Sequence, residues 1–372
     1  MIYLDNAATT FKKPPSVIHE VSACIKRYCA NAGRGSHRLS LKTAEMIYET
    51  RERVASLVGT DKAENVIFFY NATHALNFAI KTSVKDGDHV LISDVEHNAT
   101  LRPIHTMAAK GRISYTAFES KGDVLENIRR ALRPETKAIV STLQSNVFGR
   151  EIAPSVLIGA ANELGLTLIL DASQYIGHKR IDISKSDNVI LCAPGHKALF
   201  GIQGCGFCVI TDKKTRNTLI EGGSGNESKS PFMPLKPPER YEAGTLGAPS
   251  IISLLKGIEF IEERTTEEIF SKISSLCDRT VDRLSSFKGI THYEVGGGII
   301  SFNYKDVPSE TVSYELSRKG ISTRAGLHCA PLAHNTLGTI GTGTVRISLS
   351  YFNKDSDISG LYKALRHITR IY

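Results

Sequence analysis

Short apolar runs rich in β-branched residues alternate with amphipathic stretches through the first two-thirds of the chain. Five such runs are predicted to be strands, at residues 66–70, 89–93, 138–141, 166–170 and 189–191. The stretches between them, including 72–85 and 155–164, have helical periodicity. Continuous apolar strands separated by helices are typical of a mostly parallel sheet covered on both faces. We therefore expect an α/β fold whose ligand site lies beyond the carboxyl ends of the strands.

The pattern changes after about residue 250. Helical stretches and strands there predict a smaller α+β domain, at 250–263, 266–287, 298–303, 308–319, 344–350 and from about 355. We expect a large domain at 15–250, which binds the ligand, and a small C-terminal domain at 251–372. Residues 1–14 are expected to be an N-terminal segment that packs near the active site and the small domain. The Gly-, Ser- and Pro-rich stretch 222–238 predicts a long surface loop.

Composition agrees with a globular protein, because the 372 residues are 41% hydrophobic and 23% charged. No window approaches the run of about 20 apolar residues that crosses a bilayer, and no secretory signal is visible at the N-terminus. We therefore expect a cytoplasmic location. The net charge of +8 is scattered, without a dense basic tract that would indicate nucleic-acid binding. A solvated surface is the favoured interpretation, and attraction of anionic cofactors, substrates or an acidic partner protein is the alternative.

Seven cysteines in a chain expected in the cytoplasm do not indicate a disulfide framework. Cys205 and Cys208 have C-x-x-C spacing, but they stand in an apolar run that predicts a buried strand, and no second ligand pair accompanies them. Packed strand cysteines are therefore favoured over a metal or redox site. Four others are predicted to fill core space: Cys24, Cys29, Cys192 and Cys277. Cys329 differs, because it lies in a Gly- and His-bearing loop outside any apolar period.

Charged side chains follow two neighbouring predicted strands. Asp171 opens Asp-Ala-Ser-Gln, where a helix N-cap is the simple interpretation and a partner for a cationic ring nitrogen is the alternative. Lys197 ends Pro-Gly-His-Lys directly after the next strand. Burial there would depress the lysine pKa and make the amine available for a Schiff base. Each motif is weak alone, but the two in succession are a much stronger signal.

These motifs resemble those of the class V aminotransferases, which are fold-type I pyridoxal-phosphate enzymes, and within them the cysteine desulfurases. The resemblance runs from Tyr-Leu-Asp-Asn-Ala-Ala-Thr-Thr at 3–10 to Arg-Ile-Ser-Leu at 346–349, so it covers nearly the whole chain. It implies a large domain with a mostly parallel sheet of the seven-stranded type, and pyridoxal 5'-phosphate as cofactor. It also implies a homodimer in which Glu-Ala-Gly-Thr at 242–245 completes the active site of the second subunit.

The resemblance assigns roles in cofactor binding. Lys197 would hold the cofactor covalently, Asp171 would pair with its ring nitrogen, and His97 would stack on the ring and shuttle protons. The other residues implied to bind the cofactor are Ala72, Thr73, Asn146, Gln174, His196 and Thr245. Two positions depart from the family pattern. Pro194 stands where Ser or Thr is frequent, which removes one phosphate hydrogen bond, and His74 stands where an acidic residue is common.

The segment Arg-Ala-Gly-Leu-His-Cys at 324–329 resembles the Arg-x-Gly-x-His-Cys signature of the second group of cysteine desulfurases. The short connection from Cys329 to Arg346 agrees with that group. A protonated His328 and nearby arginines would favour the nucleophilic thiolate. Arg346 would clamp the substrate carboxylate. The complete set of substrate-binding residues implied is Arg346, Asn146, Ala7 and Arg324.

The implied reaction converts L-cysteine to L-alanine. Lys197 would remove the α-proton, His97 would assist, and Cys329 would take the sulfur as a persulfide. A sulfur acceptor, for which a protein is one candidate, or a reductant in vitro then discharges it. The nearest alternative is a selenocysteine lyase acting on L-selenocysteine, or another C–S lyase of the same fold. An aminotransferase or epimerase, and a sulfur-relay protein without turnover, are further alternatives. No metal, nucleic acid or membrane is expected to take part.

Overall fold

The computed structural model describes residues 1–33, 35–212, 214 and 216–372. Within them the strands are β1 (Ile2–Tyr3), β2 (Val66–Phe69), β3 (His89–Ser93), β4 (Ser114–Phe118), β5 (Thr136–Thr142), β6 (Thr167–Asp171), β7 (Val189–Pro194), β8 (Gly206–Ile210), β9 (Ile290–Gly296), β10 (Ile299–Tyr304), β11 (Ile321–Ser322), β12 (Arg324–Gly326) and β13 (Thr344–Ser348). The α-helices are α1 (Pro15–Arg27), α2 (Arg38–Leu57), α3 (Ala72–Ser83), α4 (Asn98–Ala109), α5 (Val124–Ala131), α6 (Pro154–Leu164), α7 (Ala248–Arg264), α8 (Thr266–Ser285), α9 (Ser309–Arg318), α10 (Pro331–Leu337) and α11 (Asp355–Ile371).

Seven strands form the large sheet, in the order β2-β8-β7-β6-β5-β3-β4. The five strands from β7 to β4 are parallel to one another, and β8 is antiparallel to both of its neighbours. This arrangement confirms the predicted α/β fold with a mostly parallel seven-stranded sheet. Central strands are buried on both faces, so that Leu168 packs in the core on one side and Ile169 in the core on the other.

Local sequence explains where the elements between the strands begin and end. Helix α6 has Pro154 at its first position, where the missing N–H costs nothing. It ends before Gly165, whose φ of 65° is strained for residues with a side chain. Strand β4 was not predicted, because its residues are partly exposed at the sheet edge and do not form a continuous apolar run. All five predicted runs form strands of this sheet.

The smaller sheet is antiparallel and has the order β12-β13-β10-β9. Helices α8, α9 and α11 pack against this region, which confirms the predicted α+β character. Its register places Arg346 of β13 between Ser301 on β10 and Arg324 on β12. Two arginines that are distant in sequence are therefore neighbours.

The N-terminal segment connects the two sheets. Strand β1 pairs in parallel with β11, and Asp5 forms an isolated bridge with Ser348 beside the small sheet. The Thr10 hydroxyl donates to the Lys197 carbonyl at 2.9 Å, beside the large sheet. Helix α7 starts at Ala248, three residues before the predicted boundary at 251, and packs on α1 and α2. The division into domains at 15–250 and 251–372 stays a prediction.

Five of the six cysteines predicted to lie in the core are buried, which confirms the prediction for Cys24, Cys192, Cys205, Cys208 and Cys277. The prediction for Cys29 was wrong, because helix α1 ends at Arg27 and leaves Cys29 exposed on the following turn. The stretch 222–238 has no helix or strand, as predicted for a surface loop. Among the described helices, none has the length and apolarity needed to cross a membrane.

Candidate active site

One cavity lies beyond the carboxyl ends of the large sheet's strands. Eight residues predicted to bind the cofactor line it: Ala72, Thr73, His97, Asn146, Asp171, Gln174, His196 and Lys197. They follow strands β2, β3, β5, β6 and β7, which all run in the same direction. Parallel strands end at one edge of the sheet, so residues far apart in sequence meet there. The ninth predicted residue, Thr245, lies elsewhere.

Lys197 is the cationic side chain of this cavity. Desolvation by burial lowers its pKa from 10.5 to about 8, and the positive charges of Arg346 and Arg324 act in the same direction. The carboxylate of Asp171 opposes the shift only in part. A larger share of the amine is therefore neutral near physiological pH than for an exposed lysine, and the neutral amine is the form that reacts with a carbonyl group.

This lowered pKa makes the stability of the cofactor-free chain depend on pH. Between pH 8 and pH 10.5 the unfolded chain binds more protons at Lys197 than the folded chain does, so the free energy of unfolding rises with pH. We expect Lys197→Met to remove up to about 3 kcal/mol of that rise, at 1.36 kcal/mol per pKa unit. Urea unfolding of both chains at several pH values measures the difference. If the free energy of unfolding changed with pH in the same way for both chains, the lowered pKa of Lys197 would be contradicted.

Asp171 ends strand β6 and is buried, with an exposed fraction of 3%. Its Oδ1 atom accepts a hydrogen bond from the Ser173 backbone N–H at 2.9 Å, which forms an Asx turn; no helix begins there, so the helix N-cap interpretation was wrong. No partner is recorded for Oδ2 within the described part of the chain. One oxygen therefore shapes the turn, and the other is available to a ligand with a protonated ring nitrogen.

His97 caps the start of helix α4. Its Nδ1 atom accepts a hydrogen bond from the Ala99 backbone N–H at 3.0 Å, so the proton of the neutral ring is on Nε2. Burial and the nearby charge of Lys197 lower the His97 pKa to about 4. The ring is therefore neutral at physiological pH, which suits stacking on a flat ligand. A proton-shuttle role requires the ring to gain a proton against this shift.

Glu96, for which no role was predicted, lies next to the turn that carries His97. Its side chain is fully buried, and Oε1 accepts hydrogen bonds from the Ser93 hydroxyl at 2.5 Å and the Thr142 N–H at 2.6 Å. Burial raises the Glu96 pKa to about 8, so the carboxyl group is largely protonated near neutral pH. The contacts join the ends of β3 and β5 and hold the turn that carries His97. The sequence signal available for Glu96 is its position directly before His97.

The start of helix α3 provides an anion site in the same cavity. Asn71 caps the helix by accepting from the His74 N–H at 2.9 Å, and the N–H groups of Ala72 and Thr73 precede the helical hydrogen-bond pattern. Gly206 allows β8 to approach this helix start, because a Cβ atom there would lie 2.3 Å from the Asn71 carbonyl carbon. Such a helix start favours a bound phosphate.

The donor set therefore fits pyridoxal 5'-phosphate. An amine with a lowered pKa suits its aldehyde, a buried carboxylate suits its ring nitrogen, and a helix N-terminus suits its phosphate. Burial lowers the pKa of His196 to about 4, and its Nδ1 lies 3.0 Å from the Thr9 hydroxyl. Pro194, within β7, has neither a hydroxyl nor an N–H to offer. No cluster of three or more potential metal ligands occurs among the described residues.

Thr245 lines a different cleft, together with Arg51 and Glu242. Glu242 is buried and accepts two hydrogen bonds from Arg51, at 2.8 and 2.5 Å, and one from the Phe68 N–H at 2.7 Å. These contacts anchor the 242–245 turn to β2 and α2, and Thr245 itself is exposed. Within one chain Thr245 does not line the Lys197 cavity. Its predicted role therefore requires a second subunit and stays a prediction.

Cys329 is exposed and lies on a conformationally strained loop. His328 and Cys329 have φ values of 50° and 58°, in the left-handed region that side chains disfavour. The Asn98 N–H donates to the Cys329 carbonyl at 2.7 Å, which ties the loop to the start of α4 beside His97. Arg324 Nη2 lies 3.7 Å from Cys329 Sγ. The thiol is thus close to a fixed positive charge.

His328 does not provide the positive charge that was expected beside the Cys329 thiol. The ring is buried, and its Nε2 lies 3.1 Å from both the carbonyl and the hydroxyl oxygen of Thr344. Burial, with Arg346 nearby, lowers the His328 pKa to about 2, so the ring is neutral. The expectation that a protonated His328 favours the thiolate was wrong, because neighbouring positions in sequence point in different directions here. Arg324 is the cation beside the sulfur.

Arg346 is 1% exposed and already has protein partners. Its Nη2 donates to Asp5 Oδ1 at 2.8 Å and its Nη1 to the Asn146 carbonyl at 2.9 Å, while Nε has no partner among the described residues. A substrate carboxylate would therefore share Arg346 with Asp5. That competition was missed, although Asp5 stands in the quoted N-terminal motif.

Two other residues predicted to bind substrate adjoin this region. Asn146 Nδ2 donates to the His328 carbonyl at 2.8 Å, so it joins the Lys197 cavity to the cysteine loop. Ala7 donates its N–H to Ser348 Oγ at 2.9 Å and accepts from Gln174 Nε2 at 2.9 Å. The structure therefore connects all four predicted substrate-binding residues to one region between the two sheets. Their roles stay predictions.

Comparison with known proteins gives consistent matches over nearly the whole chain. The family model described as aminotransferase class-V matches residues 2–361. A probable cysteine desulfurase of Halalkalibacterium halodurans is 28% identical, over 98% of this chain and 92% of its own length. One of Methanothermobacter thermautotrophicus is 29% identical, over 99% and 94%. The solved apo structure of cysteine desulfurase from Thermococcus onnurineus has a TM-score of 0.90 and 26% identity, covering 100% of this chain and 95% of that one.

Proposed function

This chain belongs to the class-V aminotransferase family, and we propose that it is a cytoplasmic, homodimeric, pyridoxal-phosphate-dependent cysteine desulfurase. It would convert L-cysteine to L-alanine and transfer the sulfur to Cys329. The observation that carries the proposal is the exposed thiol of Cys329, 3.7 Å from Arg324 and tied through Asn98 to the edge of the Lys197 cavity. The similarity to proteins named probable cysteine desulfurases supports it.

Residues of this cavity would hold the cofactor. Lys197 would bind it covalently, Asp171 would accept from its ring nitrogen, and the N–H groups of Ala72 and Thr73 would hold its phosphate. His97, Asn146, Gln174 and His196 complete the lining, and Thr245 of the second subunit would add a hydroxyl. When bound, pyridoxal phosphate stabilises negative charge at the substrate α-carbon.

Three side chains have separate roles in the proposed reaction. The amine of Lys197, with its pKa near 8, accepts the α-proton. Arg346 holds the substrate carboxylate between the two sheets. The Cys329 thiolate, beside Arg324, attacks the substrate sulfur. An S–S bond forms on Cys329 as the substrate C–S bond breaks, and its electrons stay on the β-carbon, which gains a proton and becomes the methyl group of alanine.

Product analysis of the wild-type enzyme tests the proposal. L-cysteine with a reductant should yield equal amounts of alanine and sulfide, and the kcat/KM for L-selenocysteine is measured beside it. Activity confined to L-selenocysteine would favour a selenocysteine lyase. Amino-group transfer to a keto acid would favour an aminotransferase. Alanine release at the rate of free cofactor alone would indicate a sulfur-relay protein without turnover.

A further inference from the structure

A groove between helices α3 and α4 is lined in part by Cys329. Its walls carry Thr73, Asn77 and Lys81 from α3, with Asn98, Arg102 and Lys110 on the α4 side. Positions four residues apart lie on one face of a helix, so each wall is a single continuous stripe. At about 1.5 Å per residue the stripes are about 12 and 18 Å long. The groove encloses about 630 Å³.

The charge of this groove has one sign. Lys81, Arg102, Lys110 and Arg112 line it, all of them are exposed, and no described lining residue is acidic. Arg112 is paired with Asp86 at 2.7 Å. For the other three cations, no ion pair or hydrogen bond is recorded within the described ranges. An unbalanced set of cations along a concave surface concentrates anions from solution.

The groove also communicates with the reaction site. Thr73, His97 and Ala99 line both the groove and the Lys197 cavity, and Cys329 itself lines the groove. A molecule in the groove would therefore reach the sulfur held on Cys329. Arg102 and Lys110 are eight residues apart, about 12 Å along the helix axis. That span exceeds the reach of a single carboxylate and matches about four extended residues at 3.3 Å each.

We propose that this groove, lined by Lys81, Arg102 and Lys110, docks an acidic, extended segment of a protein sulfur acceptor whose thiol reaches Cys329. The inference rests on the proposed desulfurase function. The acceptor thiolate attacks the outer sulfur of the Cys329 persulfide, and a new S–S bond forms on the acceptor. The S–S bond to Cys329 breaks, Cys329 leaves as a thiolate, and the proton stays on the transferred sulfur. The exchange needs no external oxidant or reductant.

Synthetic peptides of equal length with one cysteine probe the groove. One peptide carries a run of glutamates, one a run of serines and one a run of lysines. The Cys329 persulfide is formed with L-cysteine, excess substrate is removed, and sulfur transfer to each peptide is followed by mass spectrometry. We expect the acidic peptide to accept sulfur at least about tenfold faster than the serine peptide at low salt. Added salt should reduce the difference, because it screens exposed charges.

Charge-reversing substitutions test whether the preference for the acidic peptide depends on the groove. Lys81→Glu with Arg102→Glu should remove the preference for the acidic peptide. The matched control is Lys363→Glu with Arg370→Glu, two exposed positions on α11 with the same change in net charge. Equal losses in both double variants, or equal transfer to the acidic and lysine peptides, would overturn the inference. The inference would also be overturned if the groove substitutions slowed sulfur transfer to glutathione, a small anionic thiol, as much as transfer to the acidic peptide. The groove would then favour any anion and not an extended segment.

Alanine formation with the neutral dithiol dithiothreitol separates this inference from the proposed function. The groove variant should retain it, because dithiothreitol needs no charged surface. If the wild type formed no alanine from L-cysteine with dithiothreitol, the desulfurase proposal itself would be contradicted. Normal turnover with charge-independent peptide transfer would contradict the docking groove alone.

Discussion

Replacing Cys329 with alanine should lower kcat/KM for alanine formation from L-cysteine at least about 1,000-fold, because the exposed thiol proposed to abstract the sulfur is removed. Cofactor binding should persist, since Cys329 does not line the Lys197 cavity. Alanine is measured by chromatography with reductant present, and bound cofactor by its visible absorption. Mass spectrometry of the wild type after L-cysteine should show one added sulfur on the peptide that contains Cys329.

Cys29 provides the matched control. It is the other exposed cysteine among the described residues, and it lies beyond the end of α1, outside the Lys197 cavity. Cys29→Ala should therefore keep wild-type turnover and persulfide formation. If Cys329→Ala releases alanine as fast as the wild type, the cofactor assignment survives and the nucleophile assignment is wrong.

Replacing Lys197 with alanine should abolish covalent cofactor attachment and lower alanine formation at least about 1,000-fold. The amine supplies both the bond to the cofactor and the base for the α-proton, so both functions are lost together. Reduction with borohydride followed by peptide mass spectrometry should show the cofactor on the wild-type peptide containing Lys197 and on no peptide of the variant. Lys197→Arg should behave like the alanine variant, because a guanidinium keeps the charge without a nucleophilic amine.

Lys13 provides the control for this second prediction. Burial also lowers its pKa to about 8, and its Nζ donates to the His196 carbonyl at 3.1 Å. A lowered pKa alone therefore does not identify the lysine that carries the cofactor. Lys13→Arg preserves a donor at that position and removes the second reactive amine. It should keep covalent attachment at Lys197, and cofactor found on Lys13 in the wild type would reverse the assignment.

Much of the fold was predictable because it depends on local patterns. Apolar runs predicted the central strands within a few residues, since strands buried on both faces must be continuously apolar. Strand β4 was missed for the same reason, because it is partly exposed and has a mixed sequence, whereas β2 at the other edge is buried and was predicted. The motifs at Asp171 and Lys197 predicted a shared cavity, because both follow parallel strands that end at one edge.

The protonation states of the site residues were less predictable from the sequence than their positions in the fold. His328 is adjacent to Cys329 in sequence, and this adjacency predicts a protonated ring that favours the thiolate. The fold buries that ring against Thr344 and keeps it neutral. The cation that lies beside the sulfur is Arg324, five residues away, with its Nη2 atom 3.7 Å from Cys329 Sγ. A pKa depends on desolvation and on distances through space, which sequence separation does not give.

The sequence alone predicted the α/β class and the strand-end motifs, and its resemblance to a family implied the lysine, aspartate and cysteine that carry the proposed chemistry. These are local features, since each depends on residue type and on position relative to one strand. The tertiary structure decided that Asp5 shares Arg346, that Thr245 lies outside its own chain's cavity, and that a cationic groove leads to Cys329. These features join residues up to hundreds of positions apart, and only the packing of sheets and helices sets their distances.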